Sequence, residues 1–455
     1  ERGVSKQAVQ DPSSAARAEG SSESGKRRNP IVTFFRALGP GLVTGAADDD
    51  PSGIATYAQA GATYGAGTLW TVPVSLPLMM ATQEICDRMA LATGDSFGKL
   101  IRRRFSHGAR VVIGILIAAL IVANTLNLAA DLMAIGQGVQ LLHAGPAPLW
   151  SAIAGVGIGV AVVAGSFEWI GRIFKWLCLV LLVYVGVLFV SHVHWDEVFQ
   201  GLVGGRLEWG TAYWALIVAV LGTTISPYMF FWQTAQRVEE LRAEDLQGRD
   251  APALEDRTPR QAQRRLRTGR LDVFTGMIFS VLIMFAIMVA SAATLGAHHK
   301  QIGSAAEAAQ ALQPIAGTYA SLLFAVGFIG SGILAVPVLA AAGAAGMSGL
   351  LDKRWGLEDS PRRAPLFYLL LGVGLIAGIL LSVFAQNPIK ILVLSATVNG
   401  IAAGPFLIIM MIISADRELM GEYRNGHLAR TVGWMVTVVM CAAGIFGTWY
   451  TFTGG

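Results

Sequence analysis

Eleven stretches of roughly 20 apolar residues, each long enough to cross a bilayer as a helix, fill this chain of 455 residues. They lie near 35–65, 67–92, 109–142, 148–166, 172–192, 211–236, 271–296, 317–350, 364–384, 388–414 and 430–453. Helices satisfy their own peptide groups where water cannot reach, so this pattern predicts an all-α polytopic membrane protein. The third, eighth and tenth stretches are long enough to tilt or to carry short turns outside the bilayer. A composition of 54% hydrophobic and 14% charged residues excludes an ordinary soluble domain.

Two stretches are interrupted at matching places, GAADDDPSGIATY (Gly45 to Tyr57) and GTTISPYMFFW (Gly222 to Trp232). Each break carries a proline beside small, hydroxylic or acidic residues. A broken helix is tolerated at membrane depth only where it is buried in protein or lines a wet cavity, so the breaks mark a site. The first places Asp48, Asp49 and Asp50 at mid-membrane depth, where a charge costs on the order of 3 kcal/mol on insertion scales. A cation is the partner these acids imply.

Counting Lys and Arg on alternate sides tests the span assignment. With the N-terminus inside, 31 of the 34 basic residues fall in cytoplasmic segments, and only Arg206, Lys300 and Lys390 fall outside. That asymmetry predicts a multi-pass protein of the cell membrane, N-terminus cytoplasmic and C-terminus extracellular. Residues 1–30 read as a disordered cytoplasmic tail, with no cleavable signal peptide before the first span. The net charge of +4 follows from the basic loops, and no basic stripe interleaved with aromatics points to nucleic acid. Cys86, Cys178 and Cys441 are far apart within spans and read as small buried residues.

The charged stretch from Arg237 to Arg270 reads as a solvated, partly helical cytoplasmic connector between two similar halves. Residues 31–200 form a first repeat of five spans, 201–415 a second, and 416–455 the extra eleventh helix. An odd number of spans per half inverts the second half. Each half opens with its broken helix, the arrangement of inverted-repeat transporters with a midplane site.

Within the breaks, Asp50 before Pro51 is the candidate for direct coordination. Asp49 is a candidate for water-mediated coordination, and Asp48 reads equally as a structural acid. Thr223, Thr224 and Ser226 offer hydroxyls and carbonyls, although hydroxyls in membrane helices often bond back to their own helix. Asn124, Asn127, Asp131, Gln233 and Asn399 are further polar residues inside spans.

The segment DPSGIATYAQAGATYGAGTLW (Asp50 to Trp70) resembles the first broken helix and connector of the NRAMP divalent-metal transporters. The run ILVLSATVNGIAAGPFLIIMMIISADRELMGEY (Ile391 to Tyr423) resembles their tenth helix and following loop. The resemblance covers nearly everything after residue 30. It implies a LeuT-type 5+5 inverted repeat with broken first and sixth helices, eleven spans in all, and inward transport of divalent metal. It also implies metal contact by Asp50, by the residue at Gly53, by the Thr223 carbonyl and by the residue at Ser226.

The departures narrow the expectation. The family's Asp-Pro-Gly-Asn reads here Asp50-Pro51-Ser52-Gly53, and its Met-Pro-His reads Ser226-Pro227-Tyr228. Thioether favours softer ions, so an oxygen-only site suits Mg²⁺, a small ion that keeps its waters. Gly53 removes a side chain, which makes room for those waters. The substitutions fit the NRAMP-related magnesium-transporter branch, with Mn²⁺ also carried. Tyr228 does not titrate near neutral pH, which argues against proton coupling, whereas Asp131, an acid retained in the third helix, is the residue through which a proton could still move. Gln233 and Asn399 complete the candidate surroundings.

No catalytic residue and no cofactor is expected; the ion is substrate, and a monomer in the bilayer is the expected form. Two other readings are a proton-coupled Mn²⁺/Fe²⁺ symporter and a non-transporting membrane sensor, the latter disfavoured by a tail short for a signalling domain. An intramembrane enzyme lacks a Gly-x-Ser-x-Gly elbow or a His-Glu-x-x-His pair, and His298-His299 falls in an external loop.

Overall fold

A computed structural model describes residues 40–164, 181–186, 188, 193–204, 207–244, 251–294, 320–384 and 388–453. The N-terminal tail, Cys178, His298-His299 and most of the fifth stretch lie outside the described residues. All regular structure among the described residues is helical.

The first stretch is two half-helices, α1 (Pro40–Asp48) and α2 (Pro51–Tyr64). There follow α3 (Thr71–Thr93), α4 (Phe97–Arg104), α5 (His107–Leu141), α6 (Ala147–Ala164) and the short α7 (Trp195–Leu202). The second broken stretch is α8 (Thr211–Thr224) and α9 (Pro227–Glu244). The remainder is α10 (Pro259–Thr294), α11 (Ala320–Leu350), α12 (Pro365–Phe384), α13 (Pro388–Ala415) and α14 (His427–Thr453).

Among the described residues, eight expected spans are long and apolar enough to cross a membrane: the third, fourth and sixth through eleventh. The second, α3, is 23 residues long but carries Glu84, Asp87 and Arg88. The first is divided by its break. The third, eighth and tenth expected spans are single helices of 35, 31 and 28 residues. Their surplus length is helix rather than turns.

The half-helices sit centrally. α10 packs on α1, α2 and α3, α8 packs between α2 and α13, and α5 packs on α6, α11, α12 and α13. Peripheral helices leave apolar stripes uncovered, such as Leu369, Val373, Ile376 and Leu380 on α12. Contiguous apolar surface at i, i+4 and i+7 is what acyl chains cover. The polar side chains turn inward: Asp48, Asp49, Asp50, Asn127 and Asp131 are all buried.

The connector is interior only where α9 extends into it; farther on, Glu255, Asp256, Arg260, Arg264, Arg267 and Arg270 are exposed, as a solvated connector requires. α9 continues through Glu244, with Arg237, Val238, Glu239 and Leu241 buried. These charges are tolerated inside because each has a partner: Arg237 binds Asp87, Asp272 and Glu240, and Glu239 accepts the Leu357 amide.

Candidate metal site

Both breaks are built by proline at the first position of a new helix, where its missing N–H costs nothing. Asp50 precedes Pro51 in extended backbone (φ −67°, ψ 168°) and caps α2, its Oδ1 accepting the Gly53 amide at 2.7 Å. The carboxylate therefore lies at the positive end of the α2 dipole. The break has two ends, the C-terminus of α1 and the N-terminus of α2, and Asp50 belongs to the second.

Four donors from three helices converge on this one carboxylate. Oδ1 also accepts the Ser52 hydroxyl at 2.6 Å. Oδ2 accepts Asn127 Nδ2 from α5 at 3.0 Å and the Tyr228 hydroxyl from α9 at 3.3 Å. The Asn127 carbonyl in turn accepts the Ser395 hydroxyl of α13 at 2.6 Å. Asp50 is thus held by hydrogen bonds rather than by a basic side chain.

The second break faces the first. A Cβ on Gly53 would lie 3.2 Å from Thr223 Oγ1 and 3.3 Å from the Asp48 carbonyl oxygen. The expectation that Gly53 opens room for water is corrected on this point. The glycine allows close approach of α2 to α8, and the space is filled. At Ser226 the hydroxyl bonds back to the carbonyls of Gly222 (2.8 Å) and Thr223 (3.0 Å). Thr224 bonds back likewise to Val220 at 3.0 Å. The Thr223 carbonyl keeps one further lone pair for an ion.

The remaining candidates separate. Asp48 Oδ2 and Asp49 Oδ1 accept the Ser280 hydroxyl of α10 at 2.9 and 3.4 Å, while their other oxygens have no hydrogen-bond partner. Asp131 is fully buried with neither oxygen hydrogen-bonded, within electrostatic reach of Asp50. Neither amide atom of Asn399 is hydrogen-bonded.

Gln233 joins a different cluster. Its carbonyl accepts the Thr44 hydroxyl at 2.5 Å and its amide donates to Asp87 Oδ1 at 2.9 Å. Arg237 binds Asp87 at 2.6 Å, Asp272 at 3.1 Å and Glu240, and Asp272 accepts the Gly41 amide at 2.9 Å. This cluster fastens α1 to α3, α9 and α10.

The sequence flagged Asn127 only as a polar residue in a span and did not single out Ser395, Ser280 or Arg237. Spacing held a usable signal. Asn127 and Asp131 are four apart, as are Ser395 and Asn399, so each pair shares a helix face.

Among the described residues no three His, Cys, Asp or Glu side chains converge as a metal cage. A cation at Asp50 would be held by one carboxylate, neutral oxygens and its own waters, which is the chemistry of a hard ion.

The family profile described as "Natural resistance-associated macrophage protein-like" matches residues 41–450. The divalent metal cation transporter MntH of Aeromonas hydrophila subsp. hydrophila is 28% identical over 417 residues, covering 89% of this chain and 93% of its own. Its namesake from Ralstonia nicotianae is 26% identical, with 92% of each chain covered. A crystal structure of the Eremococcus coleocola manganese transporter superposes with a TM-score of 0.71 at 16% identity, over 93% of this chain and 88% of that one. Mhp1, a nucleobase-cation-symport-1 family transporter, follows at 0.56 and 13% identity, over 90% and 92%. These likenesses show the fold, the LeuT-type inverted repeat that the family resemblance implied. With a family match that spans both broken helices and every helix from α2 to α13, the chain belongs to the Nramp family.

Proposed function

We propose that this protein carries Mg²⁺, and Mn²⁺ as a second substrate, across the cell membrane into the cytoplasm by alternating access at the paired breaks. Family membership makes it a transporter rather than an enzyme, and its relatives are named for divalent metal cations. The observation that carries the ion preference is what surrounds Asp50: the hydrogen-bond partners of its carboxylate are a side-chain amide, two hydroxyls and a peptide N–H, with no sulfur among them. A soft ion gains nothing here over a hard one. The N-terminus lies inside and the C-terminus outside, on the distribution of basic residues.

Uptake is driven by membrane potential. A divalent ion gains about 4.6 kcal/mol per 100 mV, twice the roughly 2.3 for one charge. At about 1.4 kcal/mol per decade, that sustains more than a thousandfold accumulation. Tyr228, hydrogen-bonded to Asp50, takes the place of a titrating imidazole at the second break.

Proton-coupled Mn²⁺/Fe²⁺ symport is a second reading. Asp131, buried, without a hydrogen bond and close to Asp50, is the observation in its favour. Flux into liposomes separates the two. The first reading requires Mg²⁺ entry under an inside-negative potential and competition between Mg²⁺ and Mn²⁺; exclusion of Mg²⁺ with metal-dependent acidification of the lumen establishes the second.

A further inference from the structure

We propose that Asn127 is an ion ligand that acts through rotation of its amide, with Ser395 as the partner that makes both orientations equally satisfied. The proposal rests on the reading of Asp50 as the cation anchor.

Asn127 is fully buried on α5, and without an ion its amide nitrogen donates to Asp50 Oδ2 at 3.0 Å while its carbonyl accepts from Ser395 Oγ at 2.6 Å. A cation bound at Oδ2 places positive charge against that NH₂ group. The amide carbonyl, a good ligand for a hard ion, then points the wrong way. Rotation by 180° about the Cβ–Cγ bond brings the carbonyl to the ion and the NH₂ to Ser395.

The hydroxyl of Ser395 supports either state. Its single proton is within reach of two acceptors, Asn127 Oδ1 at 2.6 Å and the Leu392 carbonyl at 2.9 Å. With the amide rotated, that proton goes to Leu392 and the hydroxyl oxygen accepts from Asn127 Nδ2. No hydrogen bond is lost within the Asn127–Ser395 pair. The one bond given up, from Asn127 to Asp50, is replaced by the ion. An alanine at 395 removes this compensation and leaves the rotated NH₂ buried without an acceptor.

Ser395 also borders a cavity of about 280 Å³ lined by Ala123, Leu126, Ala129, Leu381 and Val398. Asn127 thus bridges the ion to α13, a helix that contributes no residue to either break.

The direct test is Asn127→Cys with Cd²⁺. A thiolate touching Cd²⁺ gives an ultraviolet ligand-to-metal charge-transfer band, so the band in Asn127→Cys and its absence in wild type are expected. Cd²⁺ binding by calorimetry without the band overturns the proposal. Asn127→Ala and Ser395→Ala should each weaken Mg²⁺ binding by about 10- to 100-fold, whereas Asn127→Asp, which supplies an oxygen but no donor, should bind at least as tightly as wild type. If Asn127 only positions Asp50, Asn127→Asp will lose as much as Asn127→Ala, and the proposal fails even if the cysteine variant does not fold. Absence of Mg²⁺ binding to wild type, with Asp50→Ala indistinguishable from it, refutes the underlying site instead.

Discussion

Replacing Arg237 with methionine removes the guanidinium that Asp87 and Asp272 share while keeping most of the side-chain volume. All three side chains are nearly inaccessible, at 4%, 3% and 3% exposure. Removing one partner from a buried ion pair costs about 3–5 kcal/mol, because the charge left behind remains desolvated. The loss has a local consequence at α1. Two hydrogen bonds tie this half-helix to the cluster: Gly41 N to Asp272 at 2.9 Å, and Thr44 Oγ1 to Gln233, which leans on Asp87. If α1 swings away to open the inward path, both must break. A loss of about 3 kcal/mol from the closed side raises the open population about 100-fold at 1.4 kcal/mol per decade. The assay is the modification rate of a cysteine placed at Ala47, fully buried on α1, by a thiol reagent added from the cytoplasmic side. Arg237→Met should accelerate labelling by about two orders of magnitude, and adding Asp87→Asn and Asp272→Asn should return it toward wild type. An unchanged rate in a folded variant would refute the idea that this cluster restrains α1. A rate that stays high after the aspartates are neutralised would show that the cost is not electrostatic.

Ser226→Met introduces a thioether at the second break, and calorimetry should show improved discrimination of Mn²⁺ over Mg²⁺; no change would sink the soft-ligand argument. Gly222→Ala places a Cβ 2.2 Å from the Ala396 carbonyl oxygen and 2.5 Å from Gly400 N, backbone atoms that cannot swing aside. Overpacking of this kind costs about 1–3 kcal/mol, so the melting temperature in detergent should fall, and an unshifted melt would mean that α8 and α13 are further apart. With tyrosine rather than histidine at 228, Mg²⁺ uptake at fixed potential should stay flat between about pH 6 and 8, since a phenol does not titrate there; a step in that window would point to Asp131 as a proton carrier.

Legibility followed the range of the interaction. Asp50-Pro51 and Ser226-Pro227 could be read as breaks because a capping residue followed by proline acts within a few residues, whatever surrounds it. Gly53, by contrast, was read as open space and proved to be a point of close approach, since only the position of Thr223 on another helix could decide between the two. Gln233 was assigned to the surroundings of the breaks, yet two turns of α9 carry it to Asp87 and Arg237.

By itself, the sequence determined that the chain crosses a membrane, where its helices break, and that the first break carries three acids ending in Asp50. These follow from hydropathy, from proline and from the cost of an acid in lipid, all local or one-dimensional. The tertiary structure alone decided where the polar side chains meet: Asn127 and Tyr228 at Asp50, Asp48 and Asp49 at Ser280, Arg237 at Asp87. In a helix that is apolar nearly all round, the pattern does not fix the rotation about its axis. Packing against neighbouring helices does.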